Sequence, residues 1–362
     1  MKNNYNFQLV FALIAILFTS CIEDKETTPY VPGSEGFHVA HSGAFSKPKT
    51  ASVSAISMTD TDTTFSHLAY KSANGEELGG NIEGFDSNGQ LTVITTASTS
   101  QIIICDTKTL EKRFVVTDSV DNPRYTAFDG NKAYVTVWGP IQPDYSYINP
   151  KVLVINLSTG KLENWFSVGS NPEGIAIKDG KLYVAPSYTA NVEVYDLSDL
   201  SAAPELINID AAPQHFAFDA DNNLWVSATG AWNFVVADEN KGLAKLNTSN
   251  NTLETLINYT GIGGDGYIKA SSDGSTIYGI GAEAWPSTTT EIVEFNLSSK
   301  KYDTIITGEG FKGVGQNPAS KDIYVAVTPD YENSGLVNVY TETGTKKGSM
   351  EVGLAPYHFI FY

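Results

Sequence analysis

Apolar and polar residues alternate with a period of two in short runs from about residue 36 to the end of the chain, and the runs come in groups of four. The clearest group opens with Pro172-Glu173-Gly174-Ile175-Ala176-Ile177, turns at Asp179-Gly180 and continues with Lys181-Leu182-Tyr183-Val184-Ala185. Val192-Glu193-Val194-Tyr195-Asp196-Leu197 and Glu205-Leu206-Ile207-Asn208-Ile209 complete it. Alternation of this kind marks half-buried strands, and Asp-Gly or Asn-Gly between two of them marks a tight hairpin. The same template fits units at about 82–118, 123–168, 172–209, 213–259, 265–307 and 311–352. Beta units at a spacing of 40 to 50 residues predict blades around a central channel.

The remainder forms a broken unit. Runs at 37–41, 51–58 and 64–68 supply three strands, and Tyr357-His358-Phe359-Ile360-Phe361 supplies the innermost one. A ring left open would expose unpaired strand edges, and a blade shared by both ends closes it. The expectation is an all-β, seven-bladed β-propeller with four-stranded antiparallel blades, one shared between the N- and C-termini. It spans 36–362 as one domain, since no blade buries a core alone. The stretch 70–90 is irregular. Long helical periodicity is absent, which excludes a TIM barrel or Rossmann fold, and a β-sandwich pair would not repeat Pro-X-X-apolar starts at this spacing.

Second strands run out into an aromatic in six units: Phe45, Trp138, Tyr188, Trp232, Trp285 and Tyr331. In a four-stranded blade the loop from strand two to three and the blade-joining loop emerge on one face. Here that set is long and varied, with Tyr145, Tyr147 and Phe234 added, while the turns of the other face are short. Variable loops on a rigid scaffold are where binding sites sit, and Trp and Tyr carry much of the binding energy. The blade-joining loops contribute Arg124, Glu173, Gln214 with His215, Asp265, Lys312, and Tyr357 with His358. An aromatic rim around a mixed-charge circle suits a large ligand with an apolar edge and several amides or hydroxyls. The competing explanation is that the aromatics only pack blade against blade.

Catalysis finds little support. His38, His41, His67, His215 and His358 form no short motif, and no His-X-X-X-His, Gly-X-Ser-X-Gly or Walker-type sequence occurs. His38 and His41 are three apart in a strand and face opposite ways. A propeller hydrolase or lyase would need several of Glu173, Asp265, Asp144 and Asp330 to converge in the channel. The expectation is a non-enzyme without catalytic cofactor or metal.

The ends change the picture. Lys2 followed by Leu9–Phe18 reads as a signal segment over 1–20, too short to span a bilayer in its own right. Thr19-Ser20-Cys21 resembles the lipobox of bacterial lipoproteins, which makes Cys21 the lipidation site; a secretion signal with a chance cysteine is the alternative. Residues 21–35 then form a tether rich in Thr, Pro, Gly and Glu. Glu23-Asp24-Lys25-Glu26 resembles the signal that sends Bacteroidota lipoproteins to the outer face of the outer membrane. With 23 Lys and Arg against 41 Asp and Glu, net −18, the surface disfavours nucleic acid and anionic membranes. Cys21 and Cys105 are the two cysteines. An acylated Cys21 leaves Cys105 without an intrachain partner, and its apolar run Ile102-Ile103-Ile104 predicts burial.

Asn122–Phe128, Lys132–Trp138, the run Asn171–Ala185 and Ala355–Phe361 resemble the YVTN or YncE-like seven-bladed propellers. Gly36–Phe45, Ala69–Gly84 and the last blade, Gly313–Gly344, resemble more narrowly the surface lipoprotein propellers of the Bacteroidota. The cobalamin-capturing BtuG type belongs to that group. The resemblance covers nearly the whole chain after residue 35. It implies capture of a corrinoid at the pore mouth and delivery to a TonB-dependent outer-membrane transporter, with bound cobalamin as ligand. It carries no catalytic residues. Haem, a glycan or another surface protein would suit the same rim.

Overall fold

The computed structural model describes residues 35–44, 49–58, 63–263, 265–282 and 287–362. Cys21, the segments 1–20 and 21–34, Phe45 and Trp285 lie outside the described residues. The strands form seven four-stranded antiparallel sheets, each a blade. In blade 1 the C-terminal strand Pro356–Phe361 is innermost and pairs with Gly36–His41, matching Phe37 to Phe361 and Val39 to Phe359. Ser52–Met58 and Thr63–Ser66 finish that blade. Blades 2 to 7 follow in chain order, with innermost strands Ile82–Ser87, Pro123–Asp129, Pro172–Lys178, Ala212–Phe218, Ile268–Ala270 and Phe311–Gln316.

Alternation puts one set of side chains from each strand toward the preceding blade and the other toward the next. Seven apolar clusters result, one at each junction between neighbours. Between blades 2 and 3, Val93, Ile102 and Ile104 meet Val135, Leu153 and Ile155, all fully buried. Cys105 is buried between blades 1 and 2, and burial pushes its thiol up to about 12. One short helix, Ala69–Asn74, interrupts the expected pattern inside the irregular stretch. It buries Tyr70 against Ala51 and Val53 of blade 1 and stops at Gly75, whose φ of 71° ends the turn.

The innermost strands are bulged where they start. In six blades the register with the second strand slips there, as between Pro123 and Thr126 or Pro213 and Phe216. A bulge re-aims side chains and frees backbone groups from the ladder. Hydroxyls on the second strands take up those groups. Thr136 Oγ1 accepts the Tyr125 N–H at 3.0 Å and donates to the Glu173 carbonyl of the next blade at 2.9 Å. Thr95 does the same for Gly84 (2.7 Å) and Arg124 (2.6 Å). The stitches fix each blade to its neighbour at the end of the channel where the bulges lie.

Candidate functional site

The bulges decide what lines the channel. A regular strand would turn every second residue inward, yet neighbours such as Arg124 and Tyr125, or Gln214 and His215, face the same cavity. That cavity measures about 680 Å³ and opens at the end where the long loops gather. Such a volume lies in the usual range for a small-molecule site, roughly 300–1,000 Å³.

Its rim carries Trp138, Tyr188, Trp232 and Tyr331. They are held very differently. Trp138 rests edge-on against Tyr147 at 4.6 Å between centroids, and the Arg124 guanidinium carbon lies 3.6 Å from its ring centre. Tyr188 is 38% exposed and receives a 2.9 Å hydrogen bond on its carbonyl from Asn233. Tyr331 is 54% and Trp232 94% exposed.

Below the rim stands the mixed-charge circle. Arg124 bonds Glu83 at 2.6 Å and Glu173 at 3.4 Å, all three side chains being mostly shielded from water. Burial is the main cause that pushes the Glu173 carboxyl up to about 7; Arg124 opposes it, while Glu83 and Asp265 add to it. Across the mouth, Lys312 and Asp265 form a looser, more exposed pair at 3.8 Å. A pair of that kind contributes little, on the order of 0–1 kcal/mol.

The floor is a closed circuit of rings. Tyr125 meets His215 at 4.7 Å, His215 meets Tyr267 at 5.9 Å, Tyr267 meets His358 at 5.7 Å, and His358 returns to Tyr125 at 5.9 Å. Tyr357 packs on His358 at 4.2 Å. Burial lowers His215 to about 4 and His358 to about 3, so both are neutral at pH 7. Glycines occupy corresponding places in other blades, because there the innermost strands touch. A Cβ on Gly174 would come within 2.4 Å of the Gln214 carbonyl oxygen, and one on Gly313 within 1.6 Å of that of Tyr357. Of these rings Tyr125, His215 and Tyr357 line the cavity directly.

Eleven of the residues singled out from sequence line this cavity: Trp138, Tyr188, Trp232, Tyr331, Arg124, Glu173, Gln214, His215, Asp265, Lys312 and Tyr357. Tyr147 and His358 pack against lining residues instead, and Phe234 and Tyr145 lie away from it. Phe234 packs against the apolar cluster between blades 4 and 5, and Tyr145 projects from its loop 82% exposed. Sequence reasoning missed Glu83, which follows Ile82 where other blades have Pro, and the floor tyrosines Tyr125 and Tyr267. For Glu83 and Tyr125 the only signal is adjacency to an inward-facing position in a bulged strand, whereas Tyr267 precedes Ile268–Ala270, whose pairing shows no slip.

The remaining acids are committed locally. Asp144 accepts from Ser146 (backbone 3.1 Å, hydroxyl 2.6 Å), and Asp330 accepts the backbone N–H groups of Glu332 and Asn333, each at 2.8 Å. His38 faces the Thr107 carbonyl and His41 the Ser52 hydroxyl, each at 2.9 Å. Among the described residues no group of three or more His, Cys, Asp or Glu side chains is placed to hold a metal. No helix of the described residues is long and apolar enough to cross a membrane.

Seven blades, a shared closing blade and a ligand-sized mouth define a β-propeller able to bind a ligand at its surface. The chain belongs to the family described as a domain of unknown function, DUF5074, which it matches over residues 35–359. A search of the curated proteins returns no match. Among solved structures it is similar to a quinonprotein alcohol dehydrogenase-like protein of Bacteroides thetaiotaomicron. That match has 19% identity and TM-score 0.67, over 91% of this chain and 79% of the other. A Bacteroides uniformis protein assigned provisionally as a 6-phosphogluconolactonase matches at 12% identity and TM-score 0.62, covering 91% of this chain and all of its own. At these identities the likeness is one of fold.

Proposed function

We propose that this protein is a lipid-anchored surface propeller of the outer membrane that captures a large ligand at its mouth without turnover. Lipidation at Cys21 holds it, and 1–20, 21–35 and 36–362 are its signal, tether and propeller. One observation carries the reading: four aromatics of different exposure stand over a mixed-charge circle in one cavity of about 680 Å³. A corrinoid such as cobalamin suits that arrangement. It is broad, edged by methyls and amides, and would seat part of itself in the cavity and rest the remainder on the rim. The family resemblance points to the same ligand and to a TonB-dependent transporter as the recipient.

Calorimetric titration of the purified domain with cyanocobalamin, haem and a glycan panel tests the proposal. Saturable cobalamin binding at micromolar protein is expected. Its absence removes the corrinoid, and haem or glycan binding in its place would rename the ligand. A hydrolase or lyase has one observation in its favour, since a carboxyl held up to about 7 suits a general acid. Mass spectrometry of ligand recovered after incubation separates the two: intact ligand supports capture, a cleaved one turnover.

A further inference from the structure

Among the described residues three cations line the mouth cavity, Arg124, Lys241 and Lys312, and they differ in what already holds them. Arg124 is committed to Glu83 at 2.6 Å and Glu173 at 3.4 Å, and it covers the face of Trp138. Lys241 donates to Asp238 at 2.7 Å. Lys312 has Asp265 alone, at 3.8 Å, which is beyond hydrogen-bond reach. Both members of that pair meet water, Lys312 at 36% and Asp265 at 68% exposure. A pair of this kind is weak and screened by salt, so it yields readily to a better partner. Arg124 is the opposite case, since drawing it toward a ligand would strip two shielded carboxylates of their cation.

The fold aims Lys312 at the right place. The register slip between Phe311 and Gly313 turns it into the cavity at the start of the innermost strand of blade 7. Asp265 stands just before Ile268–Ala270 of blade 6. In a ring of seven, blades 6 and 7 stand opposite blade 3, which carries Arg124 and Trp138. A flat body laid on Trp138 therefore points its far edge at Lys312. We propose that Lys312 reads an oxyanion, a phosphate ester or carboxylate, carried at the edge of a flat and largely apolar ligand, and that Asp265 holds the lysine's place until the ligand displaces it. The inference rests on capture at the mouth and adds the charge the ligand must carry. An oxyanion brought within hydrogen-bond distance of the ammonium gains a charge-assisted bond, shorter and stronger than the 3.8 Å pair it replaces. Cobalamin meets the description through the phosphodiester of its nucleotide loop. Cobinamide has the same corrin ring and no phosphodiester.

The test measures affinities of cyanocobalamin and dicyanocobinamide for wild type, Lys312→Met and Asp265→Asn by calorimetry, with circular dichroism to check each variant's fold. Taking the ratio of the two affinities cancels what the ring contributes. Lys312→Met should lower the ratio in favour of cobalamin about tenfold, the worth of one charge-assisted bond. Asp265→Asn should raise cobalamin affinity about two- to threefold by removing the competitor. A ratio unchanged in Lys312→Met overturns the inference while capture at the mouth stands, and a loss of affinity in Asp265→Asn overturns the part given to Asp265. If neither corrinoid binds wild type, the corrinoid reading falls, and the same ratio taken with 1-naphthyl phosphate and 1-naphthol decides the inference. A preference for the phosphate that Lys312→Met removes supports it; no preference, or one that survives in Lys312→Met, overturns it.

Discussion

Trp138 and Trp232 both leave the second strand of a blade at the mouth, two blades apart, and they teach opposite lessons about the same side chain. Trp138 is built in. Arg124 lies against its face and Tyr147 against its edge, and the backbone N–H of Trp138 donates to the Asn122 carbonyl at 3.1 Å. Trp232 stands almost wholly in solvent. A ligand meeting Trp138 finds a surface whose ordering was completed on folding, whereas contact with Trp232 must still restrict a free ring. The rim therefore combines a fixed platform with an adaptable flap. The platform depends on charges beneath it that the flap does not share.

The comparison breaks most visibly at Arg124. Arg124→Met leaves Glu83 and Glu173 facing each other with no cation, and removing one partner of a shielded ion pair costs about 3–5 kcal/mol. Urea denaturation should show a loss of that size; a loss under about 1 kcal/mol would mean the trio is not what organises the floor. Trp138→Ala should cost about 2 kcal/mol or more of ligand binding. It should also lower stability by about 1–2 kcal/mol, through the lost cation–π and edge contacts. Combined with Arg124→Met it should be non-additive, with a coupling of about 0.5–3 kcal/mol. Trp232→Ala should reduce binding by about 2 kcal/mol while stability changes by less than about 0.5 kcal/mol. Equal stability costs for the two tryptophans would erase the distinction.

The smallest effect is read against pH. Glu173 titrates near 7 in the folded chain and near about 4.3 when unfolded. Between those values the folded state holds the extra proton, so this carboxyl makes stability fall as pH rises from about 4.5 to 7, then level off. The four buried histidines act the other way. Burial lowers His38 and His215 to about 4 and His41 and His358 to about 3, so their contribution is lost as pH falls below about 6.5. Glu173→Gln leaves the histidines in place, so the difference between wild type and variant isolates the carboxyl. Wild type should lose on the order of 1 kcal/mol relative to the variant between pH 5 and 7. A flat difference would show that Arg124 keeps Glu173 ionised throughout.

The seven blades are legible because each is a local event: a Pro-X-X-apolar start, a Gly-containing hairpin and alternating strands recur. The shared blade follows once the units are counted, and the pairing of Val39 with Phe359 bears that out. What escaped is what the bulges do. Tyr125 follows Arg124, and strict alternation assigns neighbours to opposite faces, so only the slipped register brings both to the cavity. Tyr267 and Glu83 escaped for related reasons, in units whose starts lack the usual proline. Phe234 shows the converse error. It sits in a mouth loop, but an apolar cluster lies within reach, and burial there wins over exposure at the rim. The helix Ala69–Asn74 is too short for its periodicity to stand out, and Tyr70 is fixed by contacts with blade 1 rather than by local preference.

The closing strand also orders events in time. Gly36–His41 is synthesised long before Pro356–Phe361, yet those two strands lie side by side at the seam of the ring. Blades 2 to 7 can assemble as they emerge, each from contiguous chain, but the seam waits for Pro356–Phe361. Bringing such distant segments together carries a loop-closure penalty and slows the last step. A chain of this design cannot close its ring until both strands of the seam are present.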